Sequence, residues 1–201
     1  SVALGEDGPT HQPIEHMVTL RSTPNLNNWR PADLVETAVA WKSAVSSKTT
    51  PTCLIFSRQG TSAIERTPEQ LSSIEMGGYL IEENEDADIT IVASGSEVQL
   101  AIDAAKELKN ESIDANVVSM PSLDTFLELS NDLQNKIINP NKPVLVVECA
   151  HPNSWYKILN RSDKVIGIET FGESAPGSEL LEYFGFNKDN VIRKAKSLIN
   201  D

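Results

Sequence analysis

The stretch Asp88-Ile89-Thr90-Ile91-Val92-Ala93-Ser94-Gly95-Ser96-Glu97 decides the fold of this chain. It begins with an apolar run typical of a buried strand. A tight Gly/Ser turn follows, and then an amphipathic helix over residues 97–109. Another strand is predicted at residues 115–119. Strands that alternate with helices at this spacing predict a mainly parallel sheet.

The same pattern continues on both sides of that stretch. Further strands are predicted at residues 79–82, 144–148 and 164–168, and helices at residues 123–138 (two short ones), 155–159, 178–183 and 188–199. We therefore expect a complete α/β domain at residues 75–201, with a mainly parallel sheet and helices on both of its faces.

Residues 1–74 predict only an incomplete α/β remnant. The expected elements are a helix at 14–21, a polar loop at 22–30, a helix at 33–45, a strand buried on both faces at 52–56, and a polar linker from 61. Ser1-Val2-Ala3-Leu4 resembles the tail of a strand, so we expect a fragment. We also expect the remnant to be poorly held, because most of its sheet is absent.

Composition limits the classes of function. Of 201 residues, 39% are hydrophobic, and 17 Lys and Arg against 29 Asp and Glu give a net charge of -12. This balance, without a cluster of cations, argues against a nucleic-acid partner. Cys53 and Cys149 lie in apolar runs, so we expect two buried free thiols in a reducing compartment, the cytoplasm. Neither a membrane span nor a signal peptide is predicted.

The loop Gly5-Glu6-Asp7-Gly8-Pro9-Thr10-His11-Gln12-Pro13 is the first candidate site. Its glycines and prolines fix the backbone, and Asp7 and His11 are its polar tips. A carboxylate and an imidazole four residues apart can bind hydroxyl groups or move protons. Alternatively, Asp7 caps a helix that starts near Pro13, and His11 is an ordinary surface residue.

Arg58 is the second candidate, because it follows the apolar run at 52–56. Ligands of parallel α/β sheets gather outside the carboxyl ends of the strands, and a guanidinium suits phosphate or carboxylate. The alternative is a surface Arg in a salt bridge.

Three further stretches give weaker signals. Residues 94–97 could hold an anion at a helix start, but an N-cap Ser explains them as well. Cys149 and His151 could form a nucleophile and base, or be a core Cys and a loop His. Residues 171–177 form another Gly/Pro-framed loop that could serve packing or an interface.

At residues 5–13 the sequence resembles the signature loop of the transketolase family, thiamine-diphosphate enzymes of the pentose phosphate pathway. The matches continue in order along almost the whole chain. They include Trp29-Arg30-Pro31-Ala32-Asp33, Ser57-Arg58-Gln59, Ala93-Ser94-Gly95-Ser96-Glu97-Val98 and Thr170-Phe171-Gly172-Glu173-Ser174-Ala175-Pro176.

The resemblance implies roles for the three candidate residues. Asp7 would bind a sugar hydroxyl near the reacting carbon, and His11 would hydrogen-bond the ketose end and assist proton transfer. Arg58 would hold the sugar phosphate. The reaction would transfer a two-carbon ketol unit from a ketose phosphate to an aldose phosphate, with thiamine diphosphate supplying the carbanion chemistry.

The resemblance also implies what this chain lacks. The family's residues for thiamine diphosphate and its divalent cation, Mg or Ca, precede Ser1, so we expect neither a cofactor nor a metal site here. We expect the isolated chain to be inactive and the full-length enzyme to be a homodimer. Two alternatives stay open, namely a dihydroxyacetone synthase fragment and a non-catalytic α/β module for dimerisation or regulation.

Overall fold

The computed structural model describes residues 2–161 and 163–200, and its centre is a five-stranded sheet. The strands of this sheet have the order β3-β5-β4-β6-β7. They are β3 (Tyr79–Glu82), β4 (Ile89–Ala93), β5 (Ala115–Ser119), β6 (Val144–Val147) and β7 (Lys164–Ile166). Strand β3 is antiparallel to β5, and every other pair is parallel. The α/β prediction with a mainly parallel sheet is confirmed.

The remaining strands form a separate two-stranded parallel sheet, β1 (Asn27–Trp29) and β2 (Thr52–Leu54). The helices are α1 (His16–Ser22), α2 (Leu34–Ser46), α3 (Pro68–Ser73), α4 (Glu97–Asn110), α5 (Leu123–Leu127), α6 (Asn131–Ile137), α7 (Gly177–Tyr183) and α8 (Lys188–Asn200). Short 3₁₀ segments lie at Gly5–Asp7, Pro9–His11, Ile74–Met76 and Pro152–Lys157. None of the described helices is both long and apolar enough for a membrane crossing.

The five-stranded sheet separates two apolar layers, because successive strand residues point to opposite faces. Ile91 of β4 packs on the face covered by α4 and α8. Val92 packs on the face covered by α5 and by Trp155 of the 3₁₀ segment Pro152–Lys157. All residues of β4 and β6 are buried, as expected for central strands of a parallel sheet. The two-sided covering by helices therefore follows directly from the continuous apolar runs.

Two predictions for residues 22–56 were wrong. Residues 27–29 form strand β1, which was predicted as loop, because the polar Asn27 and Asn28 conceal a pairing in which Trp29 lies opposite Leu54. Strand β2 is half-buried, not buried on both faces, because β1 is its only neighbour among the described strands. For the same reason the apolar stripe of α2 is largely open, and Leu34 is 86% exposed.

Residues 2–64 are nevertheless attached to the rest by two buried polar clusters, contrary to the expectation of a poorly held remnant. The Glu36 cluster consists of Asp33, Glu36, Arg66, Tyr79 and Ser119. The Glu148 cluster consists of Arg21, Arg30, Ser94, Glu97, Glu148 and Trp155. Because each cluster bonds side chains of α1, α2 or β1 to side chains of the five-stranded domain, the two parts hold one another.

Candidate functional site

The loop at residues 5–13 consists of two 3₁₀ turns joined by a glycine. Asp7 N and Gly8 N donate to the carbonyls of Leu4 and Gly5 in the first turn, at 3.1 and 3.2 Å. Gly8 has φ = 73°, in the left-handed region that glycine adopts readily. Pro9 then starts the second turn, which ends at His11. The loop framed by Gly and Pro thus forms two short turns, and its predicted rigidity stays a prediction.

Asp7 and His11 are both exposed at the tips of these turns. Neither residue caps a helix through its side chain, since the N-terminus of α1 carries no side-chain cap. Thr10 Oγ1 lies 3.0 Å from His11 Nδ1, which is the only hydrogen bond of that ring among the described residues. His11 Nε2 and the Asp7 carboxylate are therefore available to a ligand.

Arg58 lies in the loop after β2 and is exposed. Within residues 2–161 and 163–200 it makes neither a hydrogen bond nor an ion pair, so the salt-bridge alternative finds no partner there. Its neighbour Gln59 donates from Nε2 to the carbonyl of Ala3 at 2.8 Å. This bond fixes the Arg58 loop beside the segment that leads into the Asp7 loop.

A cavity of about 420 Å³ lies where the Arg58 loop meets the five-stranded domain. Its walls include Leu100, Leu181 and Phe186, together with Arg58 and Arg30. Of the three predicted site residues, Arg58 lines the cavity, whereas Asp7 and His11 do not. Asp7 and His11 lie on one loop and Arg58 lies on another. No hydrogen bond or ion pair of the described residues joins these three side chains to one another.

The Glu148 cluster lies next to this cavity and is fully compensated. Arg30 Nη1 lies 2.6 Å from Glu97 Oε2 and 3.9 Å from Glu148 Oε1. Burial alone would lower the pKa of Arg30, but the charges of Glu97 and Glu148 raise it above its ordinary value. Because Arg30 is neutralised by these carboxylates, it adds no free positive charge to the cavity.

The turn at residues 94–97 is part of this cluster and is not an anion site. Ser94 donates its hydroxyl to Glu148, and Glu97 accepts from the backbone N–H of Cys149 at 2.9 Å. The predicted N-cap bond is absent, since Ser96 donates to the Glu97 carboxylate and caps no backbone group. Ser94 and Glu97, at the two ends of the turn, thus bind to members of the buried ion pairs.

Cys149 is a core residue and is not arranged as a nucleophile. Burial, followed by the nearby Glu97 carboxylate, raises the pKa of its thiol to about 12. A neutral thiol is a poor nucleophile. His151 accepts at Nδ1 from the backbone N–H of Asn153, at 3.3 Å. Both cysteines are free, but Cys53 is only half-buried, which corrects the prediction of two buried thiols.

Gln12, Arg21 and Arg30 are the residues that sequence reasoning missed. Gln12 is buried, and its side chain donates to the carbonyl of Glu173. The sequence drew attention to its neighbour His11 instead. Arg21 lies in the last turn of α1, where a cation is ordinary, but it forms a buried ion pair with Glu148. The order Trp-Arg-Pro at 29–31 was the only signal for Arg30, and it gave no hint of a carboxylate partner.

No set of three or more His, Cys, Asp or Glu side chains in residues 2–161 and 163–200 is grouped to hold a metal ion. We derive no step through a divalent cation or a diphosphate. The fold defines the chain as a mainly parallel α/β domain. Attached to it is part of a second α/β unit, which carries the polar loop at residues 5–13.

Comparison with known proteins identifies the family. The model of the transketolase-like C-terminal domain matches residues 77–187, and the model of the transketolase pyrimidine-binding domain matches residues 1–62. The chain belongs to the transketolase family, which confirms the resemblance. The second model ties this chain to enzymes that use thiamine diphosphate.

Individual relatives agree with this assignment. Transketolase 1 of Vibrio parahaemolyticus is 45% identical over 99% of this chain, which spans 30% of that protein. A Pichia stipitis transketolase in complex with sedoheptulose 7-phosphate is 39% identical with a TM-score of 0.93, over 100% of this chain and 29% of that one. A split-gene transketolase described as an inactive β4 tetramer has a TM-score of 0.79 at 26% identity, over 96% of this chain and 64% of that one. The chain thus corresponds to the C-terminal part of transketolases.

Proposed function

We propose that this chain supplies the sugar-binding loop and the C-terminal domain of a transketolase. The complete enzyme transfers a two-carbon ketol unit from a ketose phosphate to an aldose phosphate in the pentose phosphate pathway. The observation that carries the proposal is the fixed loop that exposes Asp7 and His11 in a chain of this family. The sugar-phosphate complex of the Pichia stipitis relative supports the substrate class.

Asp7 and His11 bind the sugar. Asp7 accepts a hydrogen bond from a hydroxyl near the reacting carbon, and His11 bonds the ketose end through Nε2 and assists proton transfer. Their exposure and their lack of competing partners support this assignment. A site that bonds a particular hydroxyl rejects the epimer, because the polar group of the protein then stays unpaired.

Arg58 binds the phosphate of the same sugar. It carries a guanidinium without an ion pair among the described residues, in a chain whose net charge is -12. Such a group attracts a dianionic phosphate and can bind it through two parallel hydrogen bonds. In the complete enzyme the sugar then extends from the Asp7 loop to the Arg58 loop.

The domain division and the assembly also belong to this proposal. Residues 1–74 are the end of the pyrimidine-binding domain with a linker, and residues 75–201 are the C-terminal domain; the matched ranges 1–62 and 77–187 support this division. Thiamine diphosphate and the divalent cation, Mg or Ca, bind to other parts of the enzyme, which is a cytoplasmic homodimer. The free thiols support a reducing compartment.

The isolated chain is inactive in this proposal, since it spans 30% of its relative and has no described metal site. The experiment joins the preceding part of the Vibrio relative to this chain and measures ketol transfer by a coupled assay. We expect turnover by the chimaera and none by the chain alone. Turnover by the isolated chain, or an inactive folded chimaera, would contradict the proposal.

The role of Arg58 has its own test in the chimaera. Arg58→Gln should raise KM for a ketose phosphate by about tenfold or more, as expected when a charge-assisted hydrogen bond is lost. It should leave KM for the unphosphorylated ketose unchanged. Arg193→Gln is the matched control, because Arg193 is exposed and, within the described part of the chain, bonds only Asn190. Equal effects on both sugars would exclude Arg58 as the phosphate ligand.

A further inference from the structure

We propose that residues 171–177 of the C-terminal domain, here called the docking segment, position the Asp7 loop. Gln12 is the positioning residue that joins them. The docking segment is the Gly/Pro-framed loop whose purpose the sequence left open. Its effect on catalysis rests on the proposed function, whereas the contacts themselves do not.

Backbone approaches bring the two segments together at one end. A Cβ atom on Gly5 would lie 1.5 Å from the carbonyl oxygen of Ala175, and one on Gly177 would lie 2.1 Å from the carbonyl oxygen of Ala3. Both obstacles are backbone atoms, which cannot rotate away as a side chain can. The chain can therefore approach this closely only because both positions are glycine.

Gln12 joins the segments at the other end. Its side chain is buried, and Nε2 donates to the carbonyls of Leu4 and Glu173 at 3.3 and 2.9 Å. Since both acceptors are carbonyl oxygens, the group that faces them must be the amide NH₂. A carboxylate of the same shape would place oxygen against oxygen in a buried site.

The two attachments enclose the residues that are proposed to bind the sugar. Asp7 lies just after Gly5, and His11 lies just before Gln12, so each tip is one or two residues from a fixed point. The hydrogen bonds within the turns are local, and none of them connects the turns to the domain. The backbone N–H of His151 also donates to the carbonyl of Ile14 at 3.0 Å, just after the loop. The docking segment supplies the contacts at Gly5 and Gln12, on either side of Asp7 and His11, and these contacts set where the two tips stand.

The first test measures amide hydrogen exchange in the 201-residue chain. Gln12→Glu should speed exchange at Asp7, Gly8, His11 and Gln12 by roughly tenfold, since buried hydrogen bonds are replaced by repulsion. Gln134→Glu is the control, because Gln134 donates to the carbonyls of Leu127 and Leu129 at the same 3.3 and 2.9 Å, far from the loop. Equal exchange in both variants overturns the proposal.

A second variant covers the case in which Gln12→Glu does not fold. Gly177→Ala places a methyl group against the Ala3 carbonyl, and it should speed exchange at the same four amides by a similar factor. Gly60→Ala is its control, since a Cβ there meets nothing within 4 Å. If Gly177→Ala leaves those amides as slow as in Gly60→Ala, the docking segment does not hold the loop.

The catalytic consequence is tested in the chimaera with two ketose phosphates that are epimeric at the carbon next to the carbonyl. Gln12→Glu should reduce the ratio of their kcat/KM values by about tenfold. Gln134→Glu should leave the ratio unchanged, because a loss of global stability lowers both values together. An unchanged ratio in an active Gln12→Glu chimaera overturns the positioning role. An inactive parent chimaera contradicts the proposed function instead, and the exchange data then decide the positioning.

Discussion

Arg21 and Glu148 form a two-point ion pair inside the protein, although they stand 127 positions apart in the chain. Arg21 Nη1 lies 2.7 Å from Oε2, Nη2 lies 2.8 Å from Oε1, and the side chains are 3% and 1% exposed. The Trp155 indole donates to the same carboxylate at 2.7 Å, and the guanidinium lies 4.9 Å from its ring centroid. Helix α1 is thereby joined to the end of β6.

Removing one member of this pair should be costly. Arg21→Met leaves Glu148 without its main counter-charge, and we expect a loss of about 3–5 kcal/mol in the free energy of unfolding, as for other broken buried pairs. Urea unfolding followed by circular dichroism measures it. Arg193→Met, at an exposed position, should change stability by less than about 0.5 kcal/mol. Similar losses in the two variants would show that the pair does not contribute.

Stability should fall in acid because of the same carboxylate. Burial alone would raise the pKa of Glu148, but Arg21, Arg30 and the Ser94 hydroxyl lower it from 4.5 to about 2. A group with a depressed pKa stabilises the fold above its unfolded value, and this contribution is lost as the pH falls from 4.5 towards 2. Urea midpoints measured from pH 6 to pH 2.5 should decrease through that window. In Glu148→Gln the urea midpoint should be lower at pH 6 and should depend less on pH. The same change of midpoint with pH in the variant and in the unsubstituted chain would contradict this assignment.

The hydroxyl of Tyr79 should matter for the contact between α2 and the five-stranded domain. It donates to Glu36 at 2.6 Å and accepts from Arg66 at 2.7 Å, and burial, followed by the Glu36 charge, raises its pKa. Tyr79→Phe leaves these groups short of a partner, so we expect a loss of about 1–3 kcal/mol in the free energy of unfolding. Tyr183→Phe, which is exposed, should be neutral. If Tyr79→Phe does not change the free energy of unfolding, the bonds from Ser119 to Glu36 and from Arg66 to Asp33 are enough to hold this contact.

The two thiols should differ in reactivity. Cys149 is buried with a pKa raised to about 12, whereas Cys53 is half-buried. Iodoacetamide at pH 8 should therefore alkylate Cys53 in the folded chain and leave Cys149 unmodified until urea unfolds the protein. Peptide mass spectrometry separates the two sites, and Cys53→Ser should take up no label while folded. Labelling of Cys149 in that folded variant would refute the buried-thiol assignment.

The elements that could be predicted are those determined by a pattern within one short stretch of sequence. Strand β4, helix α4 and strand β5 follow from a continuous apolar run, a Gly/Ser turn and a helical stripe. Strand β1 could not be predicted, because Asn27 and Asn28 are polar and the strand exists through its pairing with β2. The exposed stripe of α2 shows the reverse case, in which a strong pattern indicates a helix but not what covers it.

The candidate site divides in the same way. Asp7, His11 and Arg58 were selected by residue type and by the frame around them, and the structure shows all three exposed. Gln12 escaped notice, because its partners Leu4 and Glu173 offer only backbone carbonyls, which any residue has. The Arg30 and Glu97 pair was also missed, because contacts between residues that are distant in the chain leave no periodic trace in the sequence.

The span between Arg21 and Glu148 has a consequence for synthesis. A ribosome adds residues from the N-terminus at about 5–20 per second, so Arg21 waits roughly 6–25 s before its partner has been made. Gln12 waits even longer, because Glu173 lies 161 residues further on. During that interval Arg21 and Gln12, which are buried in the folded chain, lack the partners that pair with them. We therefore expect the contacts between residues 2–64 and the five-stranded domain to be complete only after residues beyond Glu173 have emerged from the exit tunnel.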